Sequence, residues 1–220
     1  MIELVKIIKE DFPYGRAMFA PEAGAALMER VYKTTGDYIE IGSWYGGSAV
    51  MAATAMEEAN RPGLVVCIDP FGIVNILEGP DKRLQQFWEN MLYFGVEQRV
   101  LAYRQFHPPY PESLHLHRFS VGLIDGNHND AGPISDFRAL NQRVTDYLLF
   151  DNAEQDAVKR TIEIALADAD EEEIKHLHNW EEDERIIYSS DHENKEVTLV
   201  ILKRKEPTHM WKNAVAGGLS

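Results

Sequence analysis

The sequence predicts an α/β fold in which helices cover both faces of a mostly parallel sheet. The main evidence is a repeated alternation of short apolar runs with helix-like segments, which is typical of strand–helix units. A polar turn between two apolar runs near the end of the chain also predicts an antiparallel hairpin. The predicted strands are residues 38–41, 64–68, 100–103, 120–124, 147–150, 185–190 and 196–202, and the predicted helices are residues 22–32, 48–58, 82–94, 135–144 and 154–169.

The first predicted strand ends in a glycine-rich turn. Gly42, Gly46 and Gly47 separate the strand from the Ala- and Met-rich segment 48–58, whose composition favours a helix. Glycine lets the backbone adopt positive φ and approach a ligand closely, and a helix N-terminus presents unpaired N–H groups. Strand, glycine turn and helix together predict a nucleotide-type cofactor site.

The spacing of the glycines narrows the class of cofactor. A dinucleotide fingerprint requires G-x-G-x-x-G, but Trp44 stands at the second glycine position. A phosphate-binding P-loop requires a lysine before Ser48, and none is present. The remaining pattern is acidic-x-Gly-x-x-x-Gly, formed by Glu40, Gly42 and Gly46. A tight strand–helix turn without a ligand is the alternative explanation.

This loop resembles that of the class I S-adenosylmethionine-dependent methyltransferases, in which it wraps the methionine end of the cofactor. The resemblance covers roughly residues 20–203. It implies a Rossmann-like sheet of seven strands in the order 3-2-1-4-5-7-6, with the seventh antiparallel, and S-adenosylmethionine as cofactor. The residues that we expect to bind this cofactor are Glu40, Gly42, Ser43, Trp44, Tyr45, Gly46, Ser48, Asp69, Phe71, Phe106 and Asp125.

Asp69 follows the second predicted strand directly. In doubly wound sheets an acidic residue at this position accepts hydrogen bonds from the ribose hydroxyls of the cofactor. Asp69 precedes Pro70, and Asp-Pro is also a common turn former. We expect the ribose role, with a structural turn as the alternative.

Polar residues also follow the fourth and fifth predicted strands. Asp125 ends the fourth, and Asp151 and Asn152 end the fifth. Adjacent strands lie about 4.8 Å apart, so these side chains could converge on one small volume. Three oxygen ligands suit Mg²⁺ or a similar divalent cation. Because Asp and Asn are also common at strand ends and helix caps, capping is the alternative explanation.

The two clusters together resemble the metal-dependent O-methyltransferases of the catechol O-methyltransferase type. In that family an Asp after strand 4 and an Asp-Asn pair after strand 5 bind the metal, which implies Asp125, Asp151 and Asn152 here. The catalytic lysine of the family is replaced by His128. Asp-Gly-x-His is instead similar to macrocin-type sugar O-methyltransferases, in which a histidine is the expected base. The resemblance therefore implies His128 as the base, with a metal ligand or a helix cap as the alternatives.

The composition limits the range of partners. A formal net charge of −14 opposes binding to nucleic acid or to an anionic membrane, so we expect neither as a partner. The sequence has no run of about 18 apolar residues and no basic-then-apolar signal peptide, so we expect a soluble, cytoplasmic protein.

Several other features are interpreted as structural. Cys67 lies in an apolar run and is expected to be a buried thiol. The apolar face of the helix at 82–94 is expected to pack into the core; its members are Leu84, Phe87, Trp88, Met91 and Leu92. The histidines near Pro108 are interpreted as a solvated loop with a short helix; they are His107, His115 and His117.

The sequence therefore predicts one S-adenosylmethionine-dependent methyltransferase domain at residues 1–205, which O-methylates a small-molecule hydroxyl with a divalent metal. Residues 1–36 are expected to form an N-terminal helical cap and residues 206–220 a C-terminal tail, with Trp211 as its docking candidate. Both segments are candidates for a homodimer contact. The alternatives are an NAD-dependent oxidoreductase, which Trp44 disfavours, and a catalytically inactive cofactor-binding scaffold.

Overall fold

The structure is a computed structural model that describes residues 1–72, 81–167, 180–189 and 195–205. The helices are α1 (Ile2–Glu10), α2 (Pro21–Lys33), α3 (Gly47–Glu58), α4 (Lys82–Tyr93), α5 (Gly132–Asn141) and α6 (Asp156–Leu166), with short 3₁₀ turns at Glu97–Arg99 and Glu112–Leu114. The strands are β1 (Asp37–Ile41), β2 (Val65–Asp69), β3 (Val100–Arg104), β4 (Phe119–Ile124), β5 (Val144–Phe150), β6 (Trp180–Ser189) and β7 (Glu196–Arg204).

The seven strands form one sheet in the order β3-β2-β1-β4-β5-β7-β6, as predicted. The first five strands run parallel, and β7 is antiparallel to both β5 and β6. Ile41 at the end of β1 pairs with Ile68 and Ile124, and Ile124 in turn pairs with Phe150. The residues just beyond these positions therefore share one edge of the sheet, where ligands of doubly wound folds bind.

Both faces of the central strands β1, β2 and β4 are buried, which explains why these strands are mostly apolar, whereas the edge strand β6 is mostly exposed and charged. One core lies between the sheet and helices α1–α4, and the other lies between the sheet and helices α5 and α6. Cys67 is a buried free thiol in the first core, as predicted.

Helix α1 lies in the segment 1–36 that was expected to form a helical cap, but its bounds were not predicted. It is short, and it is held by the burial of Val5 and Ile8 against the rest of the protein. A Cβ atom on Gly24 of α2 would lie 2.8 Å from Val5 Cγ1 and 2.9 Å from Met51 Sδ on α3. The absence of a side chain at Gly24 therefore lets the three helices pack closely together.

The structure corrects the predicted end of one helix, the predicted start of one strand and one predicted core residue. Helix α5 ends at Asn141, because Val144 already belongs to β5 and pairs with Phe119. Strand β6 begins at Trp180, whose buried indole Nε1 donates to Asn141 Oδ1 at 2.7 Å. Leu92 of α4 is 60% exposed and does not join the core, because it lies outside the buried face of the helix.

Some predictions concern residues outside the described ranges: the end of the helix predicted at 154–169, the turn of the hairpin, and the tail with Trp211. In the part of the chain that the structure describes, no helix is long and apolar enough to span a membrane.

Candidate cofactor and active site

The glycine loop after β1 is closed tightly against the end of β4. Gly42 has φ +94, and a Cβ atom there would overlap the carbonyl group of Asp125 and lie 2.7 Å from Gly126 N. Gly46 has φ +89, and a Cβ atom there would lie 2.9 Å from the ring of Phe87. Both positions need glycine for conformation and for space. The predicted loop is thus present, and it brings the glycine motif and Asp125 together.

The N-terminal segment between α1 and α2 covers this loop from outside. A Cβ atom on Gly15 would lie 2.8 Å from Tyr45 Cδ1, so the backbone at Gly15 rests on the tyrosine ring. The buried amide of Asn90 on α4 ties the two parts together: its Oδ1 accepts from Tyr14 N at 3.0 Å, and its Nδ2 donates to the carbonyls of Tyr14 and Tyr45, both at 2.9 Å. These contacts place the N-terminal segment where a cap over the loop is expected.

Asp69 is buried at the end of β2, and its carboxylate holds the loop in shape. Oδ2 accepts from Ser43 N at 2.9 Å and from Trp44 N at 3.0 Å, and Oδ1 accepts from Phe71 N at 2.5 Å. A carboxylate has about four acceptor sites, so the loop already uses most of them. The structure therefore shows the turn-forming role of Asp69. The ribose role stays a prediction, and it would use the acceptor sites of the carboxylate that the loop does not occupy.

Glu40 is fully buried beneath the loop. The hydroxyl of Tyr38 donates to Glu40 Oε2 at 2.9 Å, whereas Glu40 Oε1 and Ser43 Oγ have no hydrogen-bond partner among the described residues. Burial raises the pKa of Glu40 to about 7. Unpartnered buried oxygens are costly, so these atoms fit a ligand that brings hydrogen-bond donors to the loop. S-Adenosylmethionine, with its ammonium group, is such a ligand.

The predicted aromatic wall divides into exposed and buried members. Trp44 and Phe106 are about half exposed, and the Trp44 ring meets the Tyr45 ring edge-on at a centroid distance of 5.4 Å. Phe71 is fully buried and packs against Phe87 at 4.8 Å. Trp44 and Phe106 are therefore accessible from solvent, whereas Phe71 lies in the core, and their contact with a ligand stays a prediction.

Asp125 and Asp151 follow neighbouring strands and face each other at the sheet edge. The main-chain N of Asp125 donates to Ile41 O at 2.9 Å, and the N of Asp151 donates to Ile124 O at 3.1 Å, which continues the parallel ladder. Burial raises the pKa of both carboxyls, and the charge of Asp125 raises the pKa of Asp151 further. A cation between the two carboxylates would offset the repulsion between their negative charges.

His128 lies beside this pair, as predicted. Its Nε2 is 3.2 Å from Asp125 Oδ1, and both side chains are less than a quarter exposed. The hydrogen bond from His128 opposes the effect of burial on the pKa of Asp125. This contact therefore orients the imidazole ring beside Asp125.

The third predicted metal ligand, Asn152, follows Asp151 with φ +55. Its Nδ2 makes a long contact of 3.4 Å with Glu154 Oε1. Within the described ranges, no group of three His, Cys, Asp or Glu side chains is arranged to hold a metal ion. A metal at Asp125 and Asp151 would thus need the amide oxygen of Asn152 or water to complete its ligands.

Two residue pairs near the site were missed from the sequence. Tyr188 on β6 donates its hydroxyl to Asp151 Oδ1 at 2.7 Å. His107 Nδ1 lies 2.6 Å from Asp136 Oδ1, and both side chains are only 4% exposed. The interpretation of His107 as part of a solvated loop was wrong, because this buried partner on α5 draws its ring inward. Neither pairing has a local sequence signal, since the partners lie on distant segments.

Solved structures with this fold share the architecture at low sequence identity. Rv0187 from MTB, crystallised with its cofactor, is 14% identical with a TM-score of 0.61, covering 94% of this chain and 90% of its own. An O-methyltransferase from Bacillus cereus in complex with SAH is 12% identical with a TM-score of 0.60, covering 93% and 90%. The O-methyltransferase TomG from Streptomyces achromogenes, in complex with SAM, is 13% identical with a TM-score of 0.52, covering 92% and 89%. At these identities the likeness establishes the fold.

Membership of a family is established by the sequence itself. No curated protein matches the chain significantly. A family model described as a methyltransferase domain matches residues 39–153, more than half of the 220-residue chain, from β1 through the end of β5. This range includes the glycine loop, Asp69, Asp125 and the Asp151–Asn152 pair. The predicted resemblance to class I S-adenosylmethionine-dependent methyltransferases is thereby confirmed, and the chain belongs to the methyltransferase domain family.

Proposed function

We propose that the protein transfers the methyl group of S-adenosylmethionine to a hydroxyl oxygen of a small molecule and uses a divalent metal ion. The observation that supports this most is the direct contact between the glycine loop and Asp125. It brings the predicted cofactor site and the pair of repelling carboxyls to one place at the sheet edge. A methyl donor and an oxygen acceptor must meet within a few ångströms, in line, for transfer to occur.

The cofactor would be held by the loop between β1 and α3. The N-terminal N–H groups of α3, near Ser48, suit its carboxylate. The unpartnered Oε1 of Glu40 and Oγ of Ser43 suit donors on its amino-acid end, and Asp69 suits its ribose. When bound, S-adenosylmethionine supplies an electrophilic methyl group on a sulfonium. The residues of this loop bind and orient it, and the N-terminal segment over Tyr45 restricts access of water.

Asp125, Asp151 and Asn152 would hold the metal. The raised pKa values of the two acids support this assignment, since two like charges in a buried place favour a shared cation. When bound, a divalent cation lowers the pKa of a hydroxyl group that approaches it. Tyr188 would fix the Asp151 carboxylate through its 2.7 Å hydrogen bond.

His128 would remove the proton of the acceptor hydroxyl. Its ring is oriented by Asp125, and histidine exchanges protons near neutral pH more readily than other side chains. A carboxylate that orients an imidazole is a recurrent arrangement for general bases. His128 serving as a ligand of the metal is the alternative assignment.

The proposal is tested by following S-adenosylhomocysteine release while a panel of phenols and sugars is offered as acceptors, with Mg²⁺ or with excess EDTA. We expect turnover with at least one hydroxyl acceptor, its loss in EDTA and its recovery with Mg²⁺. Full activity in EDTA would show that Asp125 and Asp151 are structural acids. Metal binding without transfer to any acceptor would favour a catalytically inactive scaffold.

A further inference from the structure

Arg83, in the first turn of α4, lies close to residues that follow β1 and β2. Its guanidinium carbon is 3.9 Å from the centre of the Trp44 ring and 5.7 Å from that of Tyr45. A Cβ atom on Gly72 would lie 3.5 Å from the Cβ of Arg83. The guanidinium therefore stacks on the half-exposed indole of the glycine loop, beside the segment that follows Asp69.

Among the described residues, no carboxylate pairs with the charge of Arg83. Within the described residues, Arg83 makes no ion pair, and its Nε is shielded from solvent without a hydrogen-bond partner. The neighbouring Asp81 is engaged by Arg104, whose Nη1 lies 2.5 Å from Asp81 Oδ1. An arginine that has no ion pair among the described residues is unexpected in a chain with 36 acidic and 22 basic residues.

Because it stacks on Trp44, the Arg83 guanidinium is suited to bind a particular kind of ligand. A guanidinium that lies flat on an aromatic ring keeps its edge N–H groups available, and their spacing matches two oxygens of a carboxylate or phosphate. The backbone of Trp44 is held in place, because its main-chain N–H donates to Asp69 Oδ2 at 3.0 Å. Little conformational freedom would be lost when an anion binds.

We propose that Arg83 binds an anionic group, carboxylate or phosphate, on the methyl acceptor. This inference rests on the proposed function, since it assigns the substrate class of the same site. The acceptor is favoured over the cofactor as the source of the anion for two reasons. The N-terminus of α3 already offers N–H groups for the cofactor carboxylate, and Trp44, on which Arg83 stacks, is half exposed.

The test compares charged and neutral ligands of the same shape. Calorimetry with the full chain, saturated with S-adenosylhomocysteine and Mg²⁺, would measure 3,4-dihydroxybenzoate against 3,4-dihydroxybenzamide and glucose 6-phosphate against glucose. The variants are Arg83→Met, which keeps the contact with Trp44, and Arg83→Lys, which keeps the charge without the planar fork. Lys82→Met removes the same charge from the exposed neighbouring residue and serves as the control.

For at least one pair, we expect the wild-type protein to bind the charged member about tenfold or more tightly than the neutral one. Arg83→Met should abolish this preference, Arg83→Lys should reduce it, and Lys82→Met should retain it. The inference is overturned if neither pair shows a preference, if Lys82→Met loses it equally, or if Arg83→Met weakens S-adenosylhomocysteine binding itself. Failure of wild type to bind S-adenosylhomocysteine would instead contradict the proposed function.

Discussion

A Cβ atom on Gly42 would overlap the carbonyl group of Asp125, so the turn after β1 and the turn after β4 touch through their backbones. The ladder continues into this contact, because Asp125 N donates to Ile41 O at 2.9 Å. The cofactor loop and the first of the paired acids are consequently one rigid unit. A substitution at either residue should therefore affect both cofactor binding and the function of the paired acids.

Gly42→Ala should destabilise the protein by about 1–3 kcal/mol, because the methyl group has no space and φ +94 is unfavourable for alanine. The affinity of the protein for S-adenosylhomocysteine should also fall in this variant. The matched control is Gly95→Ala, where φ is +68 but no atom lies within 4 Å of the new methyl group. Urea unfolding of both variants measures the difference. Equal losses in the two variants would show that the contact with Asp125 is unimportant.

The stability of the protein should depend on the ionisation of Glu40. Burial raises the pKa of Glu40 from its ordinary value of 4.5 to about 7, so the folded state binds this proton more tightly than the unfolded state does. The resulting stabilisation is complete below about pH 4.5 and is lost as the pH rises through 7. We expect this group to lower the free energy of unfolding by up to about 3 kcal/mol between pH 4.5 and 8.

Urea unfolding across this pH range tests the effect in wild type, Glu40→Gln and Glu58→Gln. The pKa values of Asp125 and Asp151 are also raised, so part of the decline should remain in Glu40→Gln. The decline should nevertheless be clearly shallower than in wild type, whereas Glu58→Gln, an exposed change on α3, should match wild type. A Glu40→Gln profile parallel to that of wild type would refute this assignment.

The acidic residues at the strand ends were predictable from the sequence, because each follows a short apolar run and because parallel strands align their carboxyl ends. Asp69, Asp125 and Asp151 were placed in this way, and the sheet order followed from the family resemblance. The pairing of Asp151 with Tyr188 was not predictable, since it depends on which residue of the returning β6 faces the sheet edge. The same holds for His107 and Asp136, whose contact depends on the fold of a proline-rich loop.

Tyr188→Phe should weaken Mg²⁺ binding by about tenfold to 100-fold, because it removes the hydroxyl that orients the Asp151 carboxylate. Calorimetric titration of Mg²⁺ into the S-adenosylhomocysteine complex measures this loss. Tyr110→Phe is the control, since its buried hydroxyl has no hydrogen-bond partner among the described residues. If Tyr188→Phe and wild type bound Mg²⁺ equally, the hydroxyl would have no role at a metal site.

His128→Ala should lower kcat by about two orders of magnitude while Mg²⁺ affinity is kept, because a positioned base contributes about 10²–10⁴-fold. The measurement uses whichever acceptor the panel of phenols and sugars identifies. His115→Ala, an exposed histidine of the β3–β4 loop, should leave kcat unchanged. Rescue of His128→Ala by raised Mg²⁺ concentration would instead identify His128 as a ligand of the metal.

The central claim, that the glycine loop binds S-adenosylmethionine, is tested most directly by calorimetric titration of S-adenosylhomocysteine and of NAD into wild type and Asp69→Ala. We predict one site for S-adenosylhomocysteine and a loss of about tenfold to 150-fold in Asp69→Ala, from the lost charge-assisted hydrogen bonds. NAD should bind far more weakly to both proteins. Tighter binding of NAD than of S-adenosylhomocysteine, or equal affinity of the two proteins for S-adenosylhomocysteine, would contradict the account.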